Sequence, residues 1–313
     1  MSRICLAGCI VSLSLLTGSE ALANEMSAAQ FSAEVGVGYE AQTSPLVRLS
    51  PQGELLNIDG LQRLGGSHIR AGIQGFSNWQ LSPGWSVSLA GDASQKRAPG
   101  ASDFDFGMVS VQPAVHLTLG TGSLGWGLGL QQLAVSGRSF REVRSTQVDW
   151  TLPSADGSFF SVAADVGDNR HPNEFSDLDS VSTSLSLQRH WVKPRPGVDA
   201  LDMSVYFARE RNGQDFAELS HRSQMLSTSM QWRWQDITWS AGVNFQRVEF
   251  DATAFAAEPV RVDRAVGIEL GAELELSPKH TLRFEYSEVR SASTIGLYDN
   301  TYQQITIKMR TAW

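Results

Sequence analysis

The sequence predicts an all-β fold, a transmembrane antiparallel outer-membrane β-barrel of about fourteen strands. Three observations lead there. The run Ile305-Thr306-Ile307-Lys308-Met309-Arg310-Thr311-Ala312-Trp313 alternates apolar or small side chains with polar ones and ends on an aromatic, the pattern of a strand with one face in lipid. Segments of about ten residues with period-two alternation recur along the chain between turn residues. At the other end, Arg3, the apolar run Ile10 to Leu16 and the small-residue site Ala21-Leu22-Ala23 mark an export signal. The expected organisation is therefore a signal peptide over residues 1–23 and a barrel over residues 24–313.

The strands follow in order. The first runs from Phe31 to Tyr39, with Phe31, Ala33, Val35, Val37 and Tyr39 on one face and Ser32, Glu34, Gly36 and Gly38 on the other. The second, near His68 to Leu81, turns at Ser82-Pro83-Gly84 into a third carrying Trp85, Val87 and Leu89. Phe104 to Leu119 and Leu124 to Val135 form the next pair. Val143 to Leu152 turns at Ser154-Ala155-Asp156-Gly157 into Phe159 to Val166. The eighth strand shows Val181, Thr183, Leu185 and Leu187, the ninth Leu201, Met203, Val205 and Phe207. Trp232 and Trp234 end the tenth, Gln235-Asp236 turns it, and Ile237, Trp239 and Val243 carry the eleventh. Val266, Ile268, Leu270, Leu274 and Leu276 mark the twelfth, Leu282, Phe284 and Tyr286 the thirteenth, and Thr301 to Trp313 the last.

Connections alternate short and long, and in this class short turns face the periplasm, so an even strand count places both termini there. The long segments are Ala41 to Gly65, Gly167 to Asp177 and Asp251 to Asp263. The first is unusually apolar, with Leu46, Leu49, Leu55, Leu56, Ile58 and Leu61; it either folds over or into the barrel mouth or extends the strands.

Composition narrows the function. The only cysteines, Cys5 and Cys9, fall in the signal, so neither disulfides nor a thiolate metal site is expected. The segment Leu6-Ala7-Gly8-Cys9 matches a lipoprotein box but lies inside the apolar core of the signal. No later apolar run approaches the roughly 20 residues of a membrane helix. A net charge of −8 argues against nucleic acid as a partner.

The polar faces carry the informative groups. Glu269, Glu273 and Glu275 share one face of the twelfth strand, Arg283 and Glu285 the same side of the thirteenth, and Lys308 and Arg310 that of the fourteenth. Charge on the lipid side is penalised, so these seven are expected to line the lumen as a ladder of opposite charges. Such a ladder either rigidifies a wet lumen or acts as a charged constriction. On the opposite face, Ile305, Ile307, Met309 and Trp313 form the expected C-terminal assembly signal.

No enzyme is expected. His221-Arg222-Ser223-Gln224 is the nearest approach to the His-x-Ser-Asn run of outer-membrane phospholipases, and Gln224 replaces its Asn. His68, His116, His171, His190, His221 and His280 lack metal-ligand spacing, so no metal and no cofactor is expected; His68, His116 and His190 read as polar lumen filler. Asp168 to Glu174 reads as a solvated surface loop. Trp85, Trp126, Trp150, Trp191, Trp232, Trp234 and Trp239 stand near strand ends beside short turns, as an interfacial girdle requires.

The C-terminal stretch Leu282-Arg283-Phe284-Glu285-Tyr286, Arg290-Ser291-Ala292-Ser293-Thr294-Ile295 and Leu297-Tyr298-Asp299-Asn300 resembles the end of the surface lipoprotein assembly modifier barrels, which carry a similar Arg-x-x-Ser-x-Ile-x-x-Tyr-Asp pattern. Gly125 to Leu130 with Ser139 to Trp150 is similar to another hairpin of that family. The resemblance implies a fourteen-stranded pore that helps an exported lipoprotein to the cell surface. Classical members add a periplasmic tetratricopeptide-repeat domain; here Asn24 to Gln30 alone precede the first strand, so either a separate periplasmic partner captures the substrate or the barrel does something simpler. The expected function is translocation or surface display of a lipoprotein or other exported protein. A passive porin-like channel and a barrel enzyme are the alternatives. Expected partners are outer-membrane lipids, the barrel assembly machinery and an exported lipoprotein substrate, with the barrel itself a monomer.

Overall fold

The computed structural model describes residues 29–49, 55–99, 105–253 and 259–313. The expected signal segment, with Cys5 and Cys9, lies outside the described residues. The strands are β1 (Gln30–Leu49), β2 (Leu55–Ser82), β3 (Trp85–Arg97), β4 (Phe106–Leu119), β5 (Gly122–Val135), β6 (Arg138–Pro153) and β7 (Phe159–Arg170). They continue as β8 (Ser180–Arg195), β9 (Val198–Asn212), β10 (His221–Trp234), β11 (Ile237–Phe250), β12 (Val262–Ser277), β13 (His280–Ser293) and β14 (Asn300–Ala312). Each pairs antiparallel with its neighbours in sequence order, and β14 returns to β1, so the fourteen strands close into a barrel. No helix of the described residues is long and apolar enough to cross a membrane.

The closing seam pairs Ser32 with Ala312 through Thr43 with Thr301. At its end the Trp313 amide donates to the Phe31 carbonyl at 2.9 Å. Followed once around from Phe31, the registers return to β1 about 18 residues further on, a stagger that tilts the strands by roughly 45° and opens the backbone cylinder to roughly 25 Å.

The period of two sorts the faces as the alternation requires. Val37, Ile307 and Trp313 are 59%, 48% and 65% exposed on the outward wall, and on the same strands Thr306 and Lys308 are buried on the inward one. An outward apolar band in a closed barrel leaves no unpaired backbone edge, the condition for crossing lipid with strands. Trp85, Trp150 and Trp234 stand outward near the end that carries the termini, joined by Trp79, which the sequence reading passed over.

The connections at the terminus end are short. Gly84 (φ +86) and Gly197 (φ +80) turn β2 into β3 and β8 into β9. At the opposite, loop end the structure chooses between two expectations in one place and departs from expectation in two others. Of the two expectations for Ala41 to Gly65, the strand extension is the one found among the described residues: β1 and β2 stay paired out to Leu49 and Leu55, beyond the last partners of β1 on β14 and of β2 on β3. β5 and β6 are joined by Ser136 (φ 52) and Gly137 (φ 75) alone, a primed turn whose twist suits the hairpin. β7 continues to Arg170. The reason is common to the two departures, at β6 and β7. Above the hydrocarbon a strand needs pairing but not apolar alternation, so the polar residues 138–142 and 167–170 looked like loop in the sequence.

Closure implies a test. Unboiled protein in mild detergent should migrate as a compact band and shift on boiling, with strand-type circular dichroism. One mobility under both conditions would contradict the closed barrel.

Candidate functional site

Cross-strand neighbours on the inward wall build a continuous chain of ion pairs across five strands. On β13, Arg283 Nε lies 2.5 Å from Glu273 Oε1 of β12, and an Arg283 terminal nitrogen 3.5 Å from Glu285 Oε1. Lys308 of β14 bridges the seam, with Nζ 2.7 Å from Glu285 Oε2 and 3.6 Å from Glu34 Oε1 of β1. Arg70 of β2 ends the chain 3.7 Å from Glu34 Oε1. Of the expected ladder, the structure brings together Glu273, Arg283, Glu285 and Lys308. Glu269, Glu275 and Arg310 occupy inward register positions but enter no ion pair among the described residues. Glu34 and Arg70 were missed. The available signal was closure itself: Lys308 on a final strand must face the polar positions of the first.

Further toward the loop end the same wall holds a second cluster. Glu40, 1% exposed, accepts both oxygens' worth of bonds from Lys96 Nζ at 2.8 and 3.0 Å and a third from the Tyr302 hydroxyl at 2.9 Å. His68, equally buried, lies 3.3 Å from the Gln304 amide nitrogen. His116 bonds Ser88 at 2.9 Å and His190 bonds Asp202 at 2.8 Å. These three histidines line the lumen with polar partners.

The far wall differs. Ser180, Ser182, Ser184 and Ser186 form the inward face of β8, and Ser204 bonds Ser227 at 2.6 Å across β9 and β10. Asp165 stands opposite Ser184, Asp149 between Gly125 and Ala163, and Asp92 accepts from Ser110. Away from the two mouths, the inward carboxylates without an ion-pair partner among the described residues are Asp92, Asp149, Asp165 and Glu269, and the histidines His68 and His116 likewise enter no ion pair.

Inward glycines keep these side chains flat. A Cβ at Gly36 would meet Lys308 Cγ at 2.8 Å, and one at Gly38 the His68 ring at 2.8 Å. One at Gly125 would collide with the Asp149 carboxylate, at Gly129 with Ser145, and at Gly271 with Ser240. Side chains therefore lie along the wall over a neighbouring glycine instead of across the bore.

At the loop end, Asp168 to Glu174 is not the freely solvated loop expected. His171 is buried against Phe140, ring centroids 5.4 Å apart, and its backbone N–H donates to Asp179 at 2.6 Å. Burial pushes the His171 imidazole below its ordinary pKa. Residues of the C-terminal motif build the neighbouring loop: Asp299 accepts from the Ser293 N–H at 2.7 Å, and Arg261 stacks over Tyr298 at 3.5 Å. His221 and Ser223 share an inward face, but His221 Nδ1 pairs with the Leu219 carbonyl at 3.3 Å. No group of three His, Cys, Asp or Glu side chains among the described residues could hold a metal ion.

No family model and no curated protein matches the chain. Solved structures do match in fold. OmpT, an outer membrane protein of Vibrio cholerae, is 10% identical, with 93% of this chain and 99% of that one covered and a TM-score of 0.49. OpdK of Pseudomonas aeruginosa, solved with vanillate, is 10% identical over 91% and 99%, with a TM-score of 0.43. OccK3 (OpdO) of the same organism is 11% identical over 91% and 96%, with a TM-score of 0.44. The surface lipoprotein assembly modifier family is not among these findings. The expectation that the chain is not an enzyme is corrected here. Matches that include OmpT beside Occ barrels do not separate a catalytic barrel from a conducting one, because activity resides in a site and not in the shared fold.

Proposed function

We propose that this barrel is a diffusion channel for small hydrophilic solutes and that it favours cations. The observation that carries the reading is the division of charge in the lumen. On the seam wall Lys96, Arg70, Arg283 and Lys308 each sit beside a carboxylate, whereas Asp92, Asp149, Asp165 and Glu269 have no cation beside them. Paired charges cancel at a distance, so the field felt by a passing ion comes from the unpaired carboxylates. In this reading the barrel is a monomer delivered by the assembly machinery, with the short turns and both termini in the periplasm.

Planar-bilayer recordings test it. Purified barrel should give discrete conductance steps, with a reversal potential in a salt gradient that reports cation preference. The preference should shrink as salt rises from about 0.1 M to 1 M, where the screening length falls from about 10 to 3 Å. Asp92→Asn, Asp149→Asn and Asp165→Asn together should bring the permeability ratio close to unity, and Glu273→Lys with Glu275→Lys should move it the same way. Anion preference in the unmodified barrel, or the absence of steps, would remove the channel reading.

Assistance in displaying a lipoprotein is supported by the C-terminal resemblance. Of the residues that carry it, Arg290 to Asp299 hold the β13–β14 connection, and Arg283 and Glu285 of the run Leu282 to Tyr286 meet the bore only as members of the paired chain. Passage of solutes is therefore the reading carried forward. A surface proteome altered by deleting the gene would favour export instead.

A further inference from the structure

The outward wall carries a pattern that solute passage does not use. Near the loop end Arg209 stands directly opposite Arg222, and Arg247 directly opposite Arg264. Like charges at directly paired positions repel, and a wall that faces lipid offers little water to screen them. Some are answered within the protein: Arg247 by Glu249 at 2.9 Å, Arg209 by Asp251, and Arg290 by Glu288 at 2.5 Å. Arg222 and Arg264 are exposed and enter no ion pair among the described residues, because Glu249, the register partner of Arg222 on β11, is taken by Arg247.

These arginines share one level. Moving from β9 to β13 along a hydrogen-bonded row climbs toward the loop end, because the strands are tilted. The row of Arg247 and Arg264 starts two residues lower than that of Arg209 and Arg222, and the row of Arg290 two lower again, which offsets the climb. Two residues below Arg209, Arg247 and Arg264 stand Phe207, Phe245 and Val266, and below Arg222 Leu226 follows Gln224; all four apolar side chains are exposed. A cationic shelf over an apolar face complements one kind of molecule, an anionic amphiphile.

We propose that this patch binds a phosphorylated glycolipid of the outer leaflet, one phosphate between Arg209 and Arg222, another between Arg247 and Arg264, and acyl chains over Phe207, Leu226, Phe245 and Val266. Guanidinium forks match phosphate oxygens in pairs, so a phosphate turns each repulsive arginine pair into a bidentate clamp. A glycerophospholipid with a single phosphate could answer only one of the two clamps. The assignment rests on the reading that the loop end faces the cell exterior.

Native mass spectrometry of the barrel in detergent tests it with four probes: bisphosphorylated lipid A, its dephosphorylated analogue, phosphatidylglycerol and inorganic phosphate. The expected result is a lipid A adduct that the other three do not reproduce. Arg222→Gln with Arg264→Gln should weaken it by about tenfold or more, and Arg144→Gln, an outward arginine away from the patch on β6, should leave it unchanged. The boiling-induced band shift shows whether the double variant is folded, and Arg222→Lys with Arg264→Lys, which keeps the charge and loses the fork, should bind with intermediate strength. Equal lipid A binding by the unmodified barrel and a folded double variant would overturn the proposal. So would phosphatidylglycerol or inorganic phosphate binding as well as lipid A. Orientation is judged separately: Asp215→Cys, in the β9–β10 loop, should react with an impermeant maleimide on intact cells. Failure to label overturns the exterior placement and with it the outer-leaflet lipid, while the lipid titration judges the arginines themselves.

Discussion

Ile307→Arg with Met309→Arg should eliminate the folded barrel from the outer membrane. Both side chains stand on the outward face of β14, 48% and 39% exposed to what is lipid in the membrane, beside Val35 and Val37 of the first strand. Each arginine near the midplane costs about 2 to 4 kcal/mol, so the pair removes about 4 to 8 kcal/mol. That is comparable with the whole stability of a typical domain, about 5 to 15 kcal/mol. The substituted strand also closes the ring, so its failure leaves both β1 and β13 with a free edge. Fractionation should recover less than about a tenth of the normal outer-membrane amount, with no boiling-dependent band. Ile307→Ala with Met309→Ala adds no charge and should still insert. Normal insertion of the arginine variant would show that this face of β14 does not meet lipid.

Lys308→Met should give the second largest effect. The ammonium is 7% exposed and stands between Glu285 and Glu34, so the methionine leaves two carboxylates facing each other across the seam. Removing one member of a buried ion pair typically costs about 3 to 5 kcal/mol. Glu34 and Glu285 keep 23% and 32% exposure, and water reaching them lowers the expected loss to roughly 2 to 3 kcal/mol. The midpoint of urea unfolding in detergent measures it. Adding Glu285→Gln should return part of the loss, since the remaining repulsion disappears with the charge, and the cycle should show a coupling of about 1 to 3 kcal/mol. A change below about 0.5 kcal/mol for Lys308→Met would mean the ladder is merely solvated decoration.

Within the apolar band the sequence was a good guide, because lipid imposes the alternation that the eye detects. Val266 to Leu276 and Ile305 to Met309 read correctly for that reason. Outside the band the constraint lapses. The polar start of β6 carries no such mark and was read as loop, and for the paired extension of β1 and β2 the sequence left loop and strand equally open. The lumen ladder was half legible. Sequence shows which residues of one strand share a face, so Glu273, Arg283, Glu285 and Lys308 could be grouped from neighbouring strands. Register across the seam is not written locally, and Glu34 and Arg70, more than two hundred residues from Lys308 in the chain, entered only through closure. The buried Glu40, Lys96 and Tyr302 cluster was invisible for the same reason. His171 was misjudged because a 3-10 turn over Asn173–Leu178 folds the segment back onto itself.

The inward glycines have a consequence for noise. A side chain that projects into a channel can swing between rotamers, and each swing changes the free cross-section and hence the current. Here His68, Lys308, Asp149 and Ser145 are held down over glycines, with a backbone or side-chain neighbour on the other side. The calibre of the bore is then fixed by the backbone cylinder, while the lining contributes charge without obstruction. Width and electrostatics become separate quantities, so one can drift in evolution or be engineered without the other. Placing alanine at Gly38 or Gly125 would lift a single side chain off the wall and couple them again.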